Sequence, residues 1–236
     1  MIKFFRKIRQ NLLSEGNTGK YLKYAFGEIL LVVIGILIAL TINNWNDNRK
    51  SKLTEIKYVN DLIEDLNNDV IALKEFTVYL ESKKASKRKL ESFLENKEGI
   101  DSIEFHIVNQ YILTDRFTPS NITIEELKNS GGLKIIRNVD LRRQIVSMYN
   151  SYSKEVHTED LFLSQNLKLL DIASEYFKNV SQPSIDEINL ALEDNKFING
   201  IYTNFAKTRE EAINDLHSEC LDLIKNLEKY KDQINQ

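Results

Sequence analysis

The stretch that decides the fold is Tyr21–Trp45, YLKYAFGEILLVVIGILIALTINNW. From Ile29 to Ile42 every residue is apolar except Gly35 and Thr41. A helix needs about 20 largely apolar residues to cross a hydrocarbon layer about 30 Å thick. Aromatic residues stand near both ends, and such rings favour the boundary between water and lipid. The stretch therefore predicts one transmembrane helix over residues 21–45.

Charged residues on the two sides of this stretch predict its orientation. Before it and in its first residues, six Lys or Arg residues stand against one acidic residue, Glu15, whereas the charges beyond it are mixed. Cytoplasmic flanks of membrane helices carry the excess of Lys and Arg. We therefore expect a single-pass protein of the inner (cytoplasmic) membrane, with residues 1–20 in the cytoplasm and residues 46–236 in the periplasm.

A cleaved signal peptide is the main alternative, because a short apolar core also suits the central region of a secretion signal. Two features favour an uncleaved anchor. The basic region is long for a signal peptide, and the apolar run ends in TINNW (residues 41–45), without the small-residue pattern of a cleavage site. The only cysteine is Cys220, so a lipoprotein anchor at this end is excluded.

Residues 1–20 predict a basic amphipathic segment. Ile2, Phe5, Ile8 and Leu12 follow helical spacing with Lys and Arg residues between them, which is typical of a helix on the inner membrane surface. An ordinary basic flank remains the alternative. Beside a span, such a tail indicates the lipid membrane as partner, since each Lys or Arg near anionic headgroups contributes about 1 kcal/mol. Nucleic acid is disfavoured by this location and by the acidic balance of the remaining chain.

The composition limits the size and class of the domain after the span. The chain has 236 residues, a formal net charge of -3, eight glycines and two prolines. About 190 residues after the span suffice for one domain with its own core. The few chain breakers favour long helices, and the single cysteine allows no intrachain disulfide.

Apolar periodicity predicts three long helices after the span. The first continues from Trp45 to about Leu94, the second runs from Asn138 to about Phe177, and the third runs from about Phe197 towards the C-terminus. Packing of the first helix within the chain is favoured over a dimeric coiled coil. Its apolar positions alternate spacings of three and four: Ile56, Val59, Ile63, Leu66, Val70, Leu73, Thr77 and Leu80.

Shorter helices and a connector are predicted between the long ones. Capping boxes, in which a cap side chain and the third helical residue bond each other's backbone N–H, are predicted at Asp101/Glu104, Thr123/Glu126 and Ser184/Glu187. Gly131-Gly132 predicts a helix C-cap, and Gly132–Asn138 a buried connector.

Two segments resemble a known family. MIKFFRKIRQNLLSEGNTGKY followed by LKYAFGEILLVVIGILIALTINNWND, and the later TIEELKNSGGLKIIRNVDLRRQIVSMY, resemble an uncharacterised Bacteroidota family of small single-pass membrane proteins, a domain of unknown function. Its anchor is of the GEI-LVVIGILIAL-INNWN type. The resemblance implies a membrane anchor with an extracytoplasmic helical domain. It implies no activity and no site residue.

These patterns together predict an all-α fold, in which an N-terminal single transmembrane helix continues into an elongated antiparallel helical bundle. The predicted domains are a basic amphipathic cytoplasmic segment (1–20), a transmembrane helix (21–45) and an extracytoplasmic helical-bundle domain (46–236).

One predicted contact site lies in the span. Glu28 is costly there and is a functional candidate by default, although it stands near the cytoplasmic end. Gly35 shares its face, and Ala39 completes a small-xxx-small pair that lets another helix approach closely. The alternative is a lone span with incidental small residues.

A second predicted site is a patch for an anion or an acidic partner, formed by Arg116, Arg137, Arg142 and Arg143 around the central loops. Arginine binds carboxylates and phosphates through two parallel hydrogen bonds. Surface or interhelix ion pairs are the alternative.

No catalytic constellation is visible in the sequence, and we predict no catalytic residue, metal ligand or cofactor. His217 and Cys220 stand three residues apart on one helix, but Cys220 falls on the apolar face, which favours packing in the core.

The first functional hypothesis is a non-enzymatic, membrane-anchored interaction or scaffold protein, with a protein partner or a homo-oligomer formed through the span or the bundle. The alternative is an extracytoplasmic sensor of a small ligand. Such a sensor needs a separate signalling partner, because residues 1–20 are too short for an output domain. A membrane-tethered enzyme is the third hypothesis and has no residue evidence. A polar pocket would favour the sensor or enzyme, and a filled core with an apolar surface patch the scaffold.

Overall fold

The computed structural model describes residues 18–130, 132–203 and 207–235, and these residues form helices and connecting segments without a strand. The all-α prediction is confirmed. The chain divides into two units, Met1–Thr54 and Glu55–Gln236. Residues 1–17 of the predicted amphipathic segment lie outside the described residues, as does Gly131 of the predicted C-cap.

Seven α-helices are present in the described residues, with short 3₁₀ turns at Ile100–Ser102 and Leu133–Ile135. They are α1 (Thr18–Asn96), α2 (Ile103–Tyr111), α3 (Ile122–Asn129), α4 (Val139–Tyr176), α5 (Ile185–Ala191), α6 (Asn195–Thr203) and α7 (Lys207–Asn235). The predicted helix from Phe197 thus corresponds to α6 and α7, which flank three residues that are not described.

The described part of the first unit is the N-terminal part of α1. All its residues from 29 to 42 are exposed, and Thr41 Oγ1 donates a hydrogen bond to the Leu37 carbonyl at 2.8 Å. That bond satisfies the hydroxyl within the helix itself. Among the described residues, one helix is long and apolar enough to cross a membrane, and it is this one. The first unit is therefore compatible with a membrane anchor.

Buried side chains follow a seven-residue repeat along the part of α1 that belongs to the second unit. One row is apolar and was predicted from the sequence: Val59, Leu66, Leu73 and Leu80. The other row alternates apolar and charged residues: Glu55, Leu62, Asp69, Phe76, Lys83 and Leu90. The predicted Ile56 and Ile63 are only half-buried. The helix therefore faces its neighbours with three buried charged residues that its apolar pattern did not indicate.

Hydrogen bonds between the long helices establish their directions within the second unit. Cys220 of α7 lies beside Leu66 of α1, and Tyr230 lies beside Glu55. Against α4, the α7 residues Cys220 and Asn226 pair with Tyr152 and Gln144, respectively. The numbers rise on one helix as they fall on the other, so α7 is antiparallel to both α1 and α4, which are parallel to each other. This arrangement requires a connection that returns along α1.

Residues 103–137, here called the return segment, make that connection. Side chains of α1 hold its backbone at successive points, and the position on α1 falls as the position on the return segment rises. The bonds join Lys83 Nζ to the Asn109 and Gln110 carbonyls, Tyr79 Oη to the Leu113 carbonyl, Asp69 to Ser120 N, Asp65 to Thr123 N and Glu55 to Arg137 N. Buried backbone groups need such partners. The charged residues of α1 therefore act as hydrogen-bond partners for backbone groups of the return segment.

The local caps are partly as predicted. Ser184 and Glu187 form the capping box, and the Asn138 side chain accepts bonds from Asp140 N and Leu141 N. The predicted capping box at Asp101 and Glu104 is wrong, because Gly99 (φ 82°) leads into a 3₁₀ turn and the helix begins only at Ile103. The box at Thr123 and Glu126 is wrong as well. Thr123 lies inside α3, and its N–H bonds to Asp65 of α1 instead.

We predict that Glu55→Ala destabilises the second unit. The Glu55 carboxylate is 1% exposed and accepts hydrogen bonds from Arg137 N at 2.6 Å and Tyr230 Oη at 2.5 Å. Alanine leaves these donors unpaired, which costs about 2–4 kcal/mol in the free energy of unfolding. Denaturant titration of the full chain in detergent, followed by far-UV circular dichroism, measures the change.

Two matched variants control for this loss. Glu55→Gln keeps an oxygen acceptor and is expected to cost less than half as much as alanine. Glu64→Ala changes an exposed acid of the same helix and is expected to change stability by no more than about 0.5 kcal/mol. Equal stability of the Glu55→Ala and Glu64→Ala proteins would contradict the role assigned to Glu55.

Candidate functional site: a polar layer between two cores

Two apolar cores lie within the second unit. One joins α1 up to Leu80 with α3, the first part of α4, and α7 from Ile213. The other joins the end of α1 from Leu90 with α2, the last part of α4, α5 and α6. Between them, in the order of the chain, stand buried polar residues, here called the polar layer: Lys83, Glu155, Glu159, Asn166 and Arg209.

A cavity of about 320 Å³ opens at the polar layer. It lies between α1, the end of α2 and the residues after it, α4 and α7. Its lining combines charged, amide and aromatic side chains: Tyr79, Lys83, Gln110, Thr114, Asp115, Arg116, Glu159, Phe162, Leu163, Asn166 and Arg209. Ligand pockets are commonly apolar clefts of about this size with a few placed polar groups.

The polar layer changes the inner face of α4 from the predicted one. The sequence predicts Val156, Leu163 and Leu167 on that face, but Leu167 is 54% exposed and the other two are half-buried. Glu155 and Glu159 are buried instead. They continue the three-and-four spacing that begins at Tyr152 and ends at Ala173. The sequence interpretation assigned the inner face of α4 to the apolar residues beside this row instead.

Lys83 is the centre of the layer on α1. Its side chain is 3% exposed, and Nζ donates hydrogen bonds to the Asn109 and Gln110 carbonyls, each at 2.6 Å. The ammonium also lies 5.6 Å from the centre of the Tyr79 ring. Burial, and secondarily the positive charge of Arg209, lower the pKa of Lys83 to about 7. The ammonium is therefore less stable at this site than in water.

Arg209 and Glu159 form the buried ion pair of the layer. Both Glu159 oxygens accept hydrogen bonds, one from Arg209 Nε at 2.6 Å and the other from Nη2. The guanidinium lies between two aromatic rings, 5.3 Å from the centre of Phe76 and 4.9 Å from that of Phe162. This two-point pairing occupies the arginine fork. In the sequence, Arg209 stands in the apolar row of the last helix between Phe205 and Ile213, and an arginine in such a row is a sequence signal for the layer.

Glu155 adjoins this pair. It is 6% exposed, and its Oε1 has no hydrogen-bond partner among the described residues. Burial, and then the negative charge of Glu159, raise the pKa of Glu155 to about 7. Glu155 does not line the cavity, so it titrates behind the lining and not at the surface that a ligand would touch.

The mouth of the cavity carries an exposed ion pair. Arg116 Nη1 lies 2.9 Å from Asp160 Oδ1, and both side chains are about half exposed. Asp115 Oδ1 accepts a hydrogen bond from Arg116 N at 2.8 Å. Exposed pairs such as Arg116–Asp160 contribute little to stability.

The four arginines of the predicted patch lie in different surroundings. Arg116 lines the cavity, whereas Arg142 and Arg143 line an open groove of about 520 Å³ with Leu133, Val139 and Val146. Arg137 pairs with Glu55 at 3.6 Å and Arg143 with Asp140 at 3.3 Å, while Arg142 Nη1 donates to the Ile136 carbonyl. A common site for the four arginines stays a prediction.

The predicted helix contact in the span also stays a prediction. Gly35 and Ala39 are exposed on α1 in the first unit, and Glu28 is half-buried. Among the described residues, a Cβ atom added at Gly35 would meet no atom within 4 Å. The described part of the first unit therefore does not require glycine at this position.

Cys220 packs in the core as predicted. It is fully buried, and burial raises the pKa of its thiol to about 11.

In the part of the chain that the structure describes, no group of His, Cys, Asp and Glu side chains is arranged to hold a metal ion.

Comparison with known proteins identifies the family of this chain. Residues 28–209 match a family described as "Family of unknown function (DUF6090)". The chain belongs to this family. No curated protein and no solved structure matches the chain. The DUF6090 match ends at Arg209 of the polar layer, so it contains most of the predicted span, the return segment and the cavity lining.

We predict that the stability of this DUF6090 chain passes through a minimum near pH 7. Glu155 is protonated in the folded state up to about pH 7 but only to about pH 4.5 when unfolded, so stability falls as pH rises between these values. Lys83 deprotonates near pH 7 when folded and near pH 10.5 when unfolded, so stability rises again across that second range. Denaturant titrations of the full chain from pH 4 to 10 measure both slopes.

One variant tests each slope of stability against pH. Glu155→Gln is expected to flatten the acidic slope and leave the basic one, and Lys83→Met is expected to do the reverse. Unchanged slopes in both variants would contradict the assignment of these titrations.

Proposed function

We propose that this protein is a membrane-anchored, non-enzymatic module that binds a small ligand in the cavity of its helical bundle. The observation that carries the proposal is the polar layer, in which buried charged side chains surround a cavity between two apolar cores. Buried titratable groups with shifted pKa values in a cleft are a physical indication of a functional site.

The energetic cost of the layer supports this proposal. Taking the Glu159–Arg209 pair out of water is expensive, and replacing such a buried pair by well-packed apolar residues is often neutral or stabilising. The adjoining cores are clusters of apolar side chains, whereas the polar layer between them carries buried charges that line a cavity. A layer that serves stability alone has no need of a cavity.

Binding is favoured over catalysis by the lining itself. Lys83 faces the cavity, whereas the carboxyl group with the matching pKa, Glu155, does not line it. Glu159 and Arg209 occupy each other in a two-point pair. The remaining carboxylate among the described lining residues, Asp115, accepts a backbone hydrogen bond from Arg116 N and forms no ion pair with Lys83 that would serve general acid–base catalysis.

The membrane part of the proposal follows from the first unit and its flanks. We propose that residues 21–45 cross the inner membrane, with the N-terminus in the cytoplasm and the second unit in the periplasm. The exposed apolar surface of α1 supports the span, and the basic flank supports the orientation. We propose that binding of a ligand outside the cytoplasm is then signalled through a separate protein.

Interaction with another protein, which was the first hypothesis from the sequence, is the second candidate function. The groove of Arg142 and Arg143 supports it, because Val139 and Val146 are 49% and 41% exposed beside these two cations. An apolar surface with a charged rim is typical of a protein contact. In a sensor, this groove offers a surface for the signalling partner.

We predict that small organic fragments bind to the cavity and that filling it abolishes binding. Leu163→Trp places a larger side chain in the lining. Fragments of up to about 20 non-hydrogen atoms are screened against the full chain in detergent by ligand-observed NMR. The fragments that bind to the unchanged protein are expected to lose at least ten-fold in affinity for the Leu163→Trp protein.

The control for this screen is Leu161→Trp, which makes the same change two residues away at a side chain that is 56% exposed and does not line the cavity. It is expected to bind the fragments normally. The absence of any fragment that distinguishes the two tryptophan variants would contradict the ligand-binding proposal.

Cysteine labelling tests the proposed orientation. The single native thiol, Cys220, is buried and its pKa is about 11, and Cys220→Ala removes it altogether. In that background we predict that Ser181→Cys, at an exposed loop position of the second unit, reacts with a membrane-impermeant maleimide in intact spheroplasts. Ser14→Cys, before the span, is expected to react only after lysis. The opposite pattern would reverse the orientation, and loss of the protein into the soluble fraction would contradict the anchor.

A further inference from the structure

We propose that the ligand of the cavity is a small organic monocarboxylate with an aromatic or similarly apolar body and a hydrogen-bond donor. This inference rests on the proposed function and adds the chemical class of the ligand. Three features of the lining carry it: a buried ammonium without a carboxylate, an apolar wall, and a buried amide oxygen without a donor.

The buried ammonium is Lys83. Among the described residues, no carboxylate oxygen lies within 4.0 Å of its Nζ, and its hydrogen bonds go to two neutral backbone carbonyls. An ammonium has three donors, so one donor remains after these two bonds. A buried charge is costly until an opposite charge pairs with it. A ligand carboxylate would supply both the missing charge and the acceptor for the third hydrogen.

The other charged side chains that line the cavity already have ion-pair or hydrogen-bond partners. Glu159 is paired on both oxygens by Arg209, and Arg116 pairs with Asp160 at the mouth. Asp115, beside Arg116, accepts a hydrogen bond from the backbone there. The lowered pKa of Lys83 agrees with this geometry, because burial and then the positive charge of Arg209 make the protonated form unfavourable.

The number of available cationic donors favours a monoanion over phosphate. Phosphate sites combine several donors, such as an arginine fork, a lysine and the backbone N–H groups of a helix N-terminus. Here the buried fork of Arg209 is occupied by Glu159. One ammonium hydrogen suits one carboxylate oxygen.

The rest of the lining suits a compact apolar body with a polar end. Tyr79, Phe162 and Leu163 supply apolar surface, and about 320 Å³ accommodates a single substituted ring. Asn166 is 8% exposed and lines the cavity, and its Oδ1 has no hydrogen-bond partner in the described part of the chain. An unpaired buried acceptor of this kind favours a ligand that carries a donor, such as a hydroxyl group.

The test compares 4-hydroxyphenylacetate with its neutral amide, 4-hydroxyphenylacetamide, which has the same size and the same hydroxyl group. Isothermal titration calorimetry on the full chain in detergent at pH 6.5 measures both dissociation constants. The acid is expected to bind at least ten-fold more tightly than the amide. Inorganic phosphate is the third probe and is expected not to displace the acid.

Variants then locate the charge. Lys83→Met is expected to reduce the affinity for the acid to that for the amide while leaving the amide affinity within about three-fold. Retained amide binding shows that the variant is folded and its cavity open. Lys74→Met, at an exposed position of the same helix, is expected to keep the full preference. Asn166→Leu is expected to weaken both compounds, since each carries the hydroxyl donor.

Each outcome decides the inference. Equal binding of acid and amide to the unchanged protein overturns the carboxylate assignment, as does a preference that survives in Lys83→Met or stronger binding of phosphate. Absence of binding by both compounds also overturns it. The proposed function stands or falls separately, on whether any fragment distinguishes Leu163→Trp from Leu161→Trp.

Discussion

The structure of the second unit depends on charged side chains of one helix that bond to the backbone of another segment. Glu55, Asp65 and Asp69 accept backbone N–H groups of the return segment, and Lys83 donates to two of its carbonyls. A segment that lies against a helix without forming a long helix of its own must otherwise bury unsatisfied backbone groups. These bonds let α1 and α4 run parallel, and so they give α7 two helices to pack against.

The same constraint creates the candidate site. Lys83 closes the end of α2 through two carbonyls, and this brings a charge to the level at which α4 presents Glu159 and α7 presents Arg209. The apolar cores end on either side of that level. The cavity lies beside these charges, and Lys83 both bonds to the return segment and lines the cavity.

Sequence reasoning recovered the helices better than it recovered the buried row. The bounds of α4, predicted from Asn138 to about Phe177, and the end of α1, predicted near Leu94, follow from local signals. The cap predicted at Thr123 failed because its N–H group bonds to Asp65, 58 residues away in the chain. Glu155, Glu159 and Lys83 were missed because a charged residue on a helix is normally assigned to the solvent. Arg209, inside an apolar pattern, was the one residue of the layer that the pattern itself marked.

The sequence by itself determined the all-α class, the apolar stretch at residues 21–45 and the positions of the long helices, because these depend on neighbours within a few turns of the same helix. Only the tertiary structure decided which charged residues are buried, that the return segment follows α1, and that a cavity lies between two cores. Burial of a charge depends on partners from distant parts of the chain, and Arg209 meets Glu159 across 50 residues. No spacing along one helix contains that information, since the pairing exists only once the helices pack.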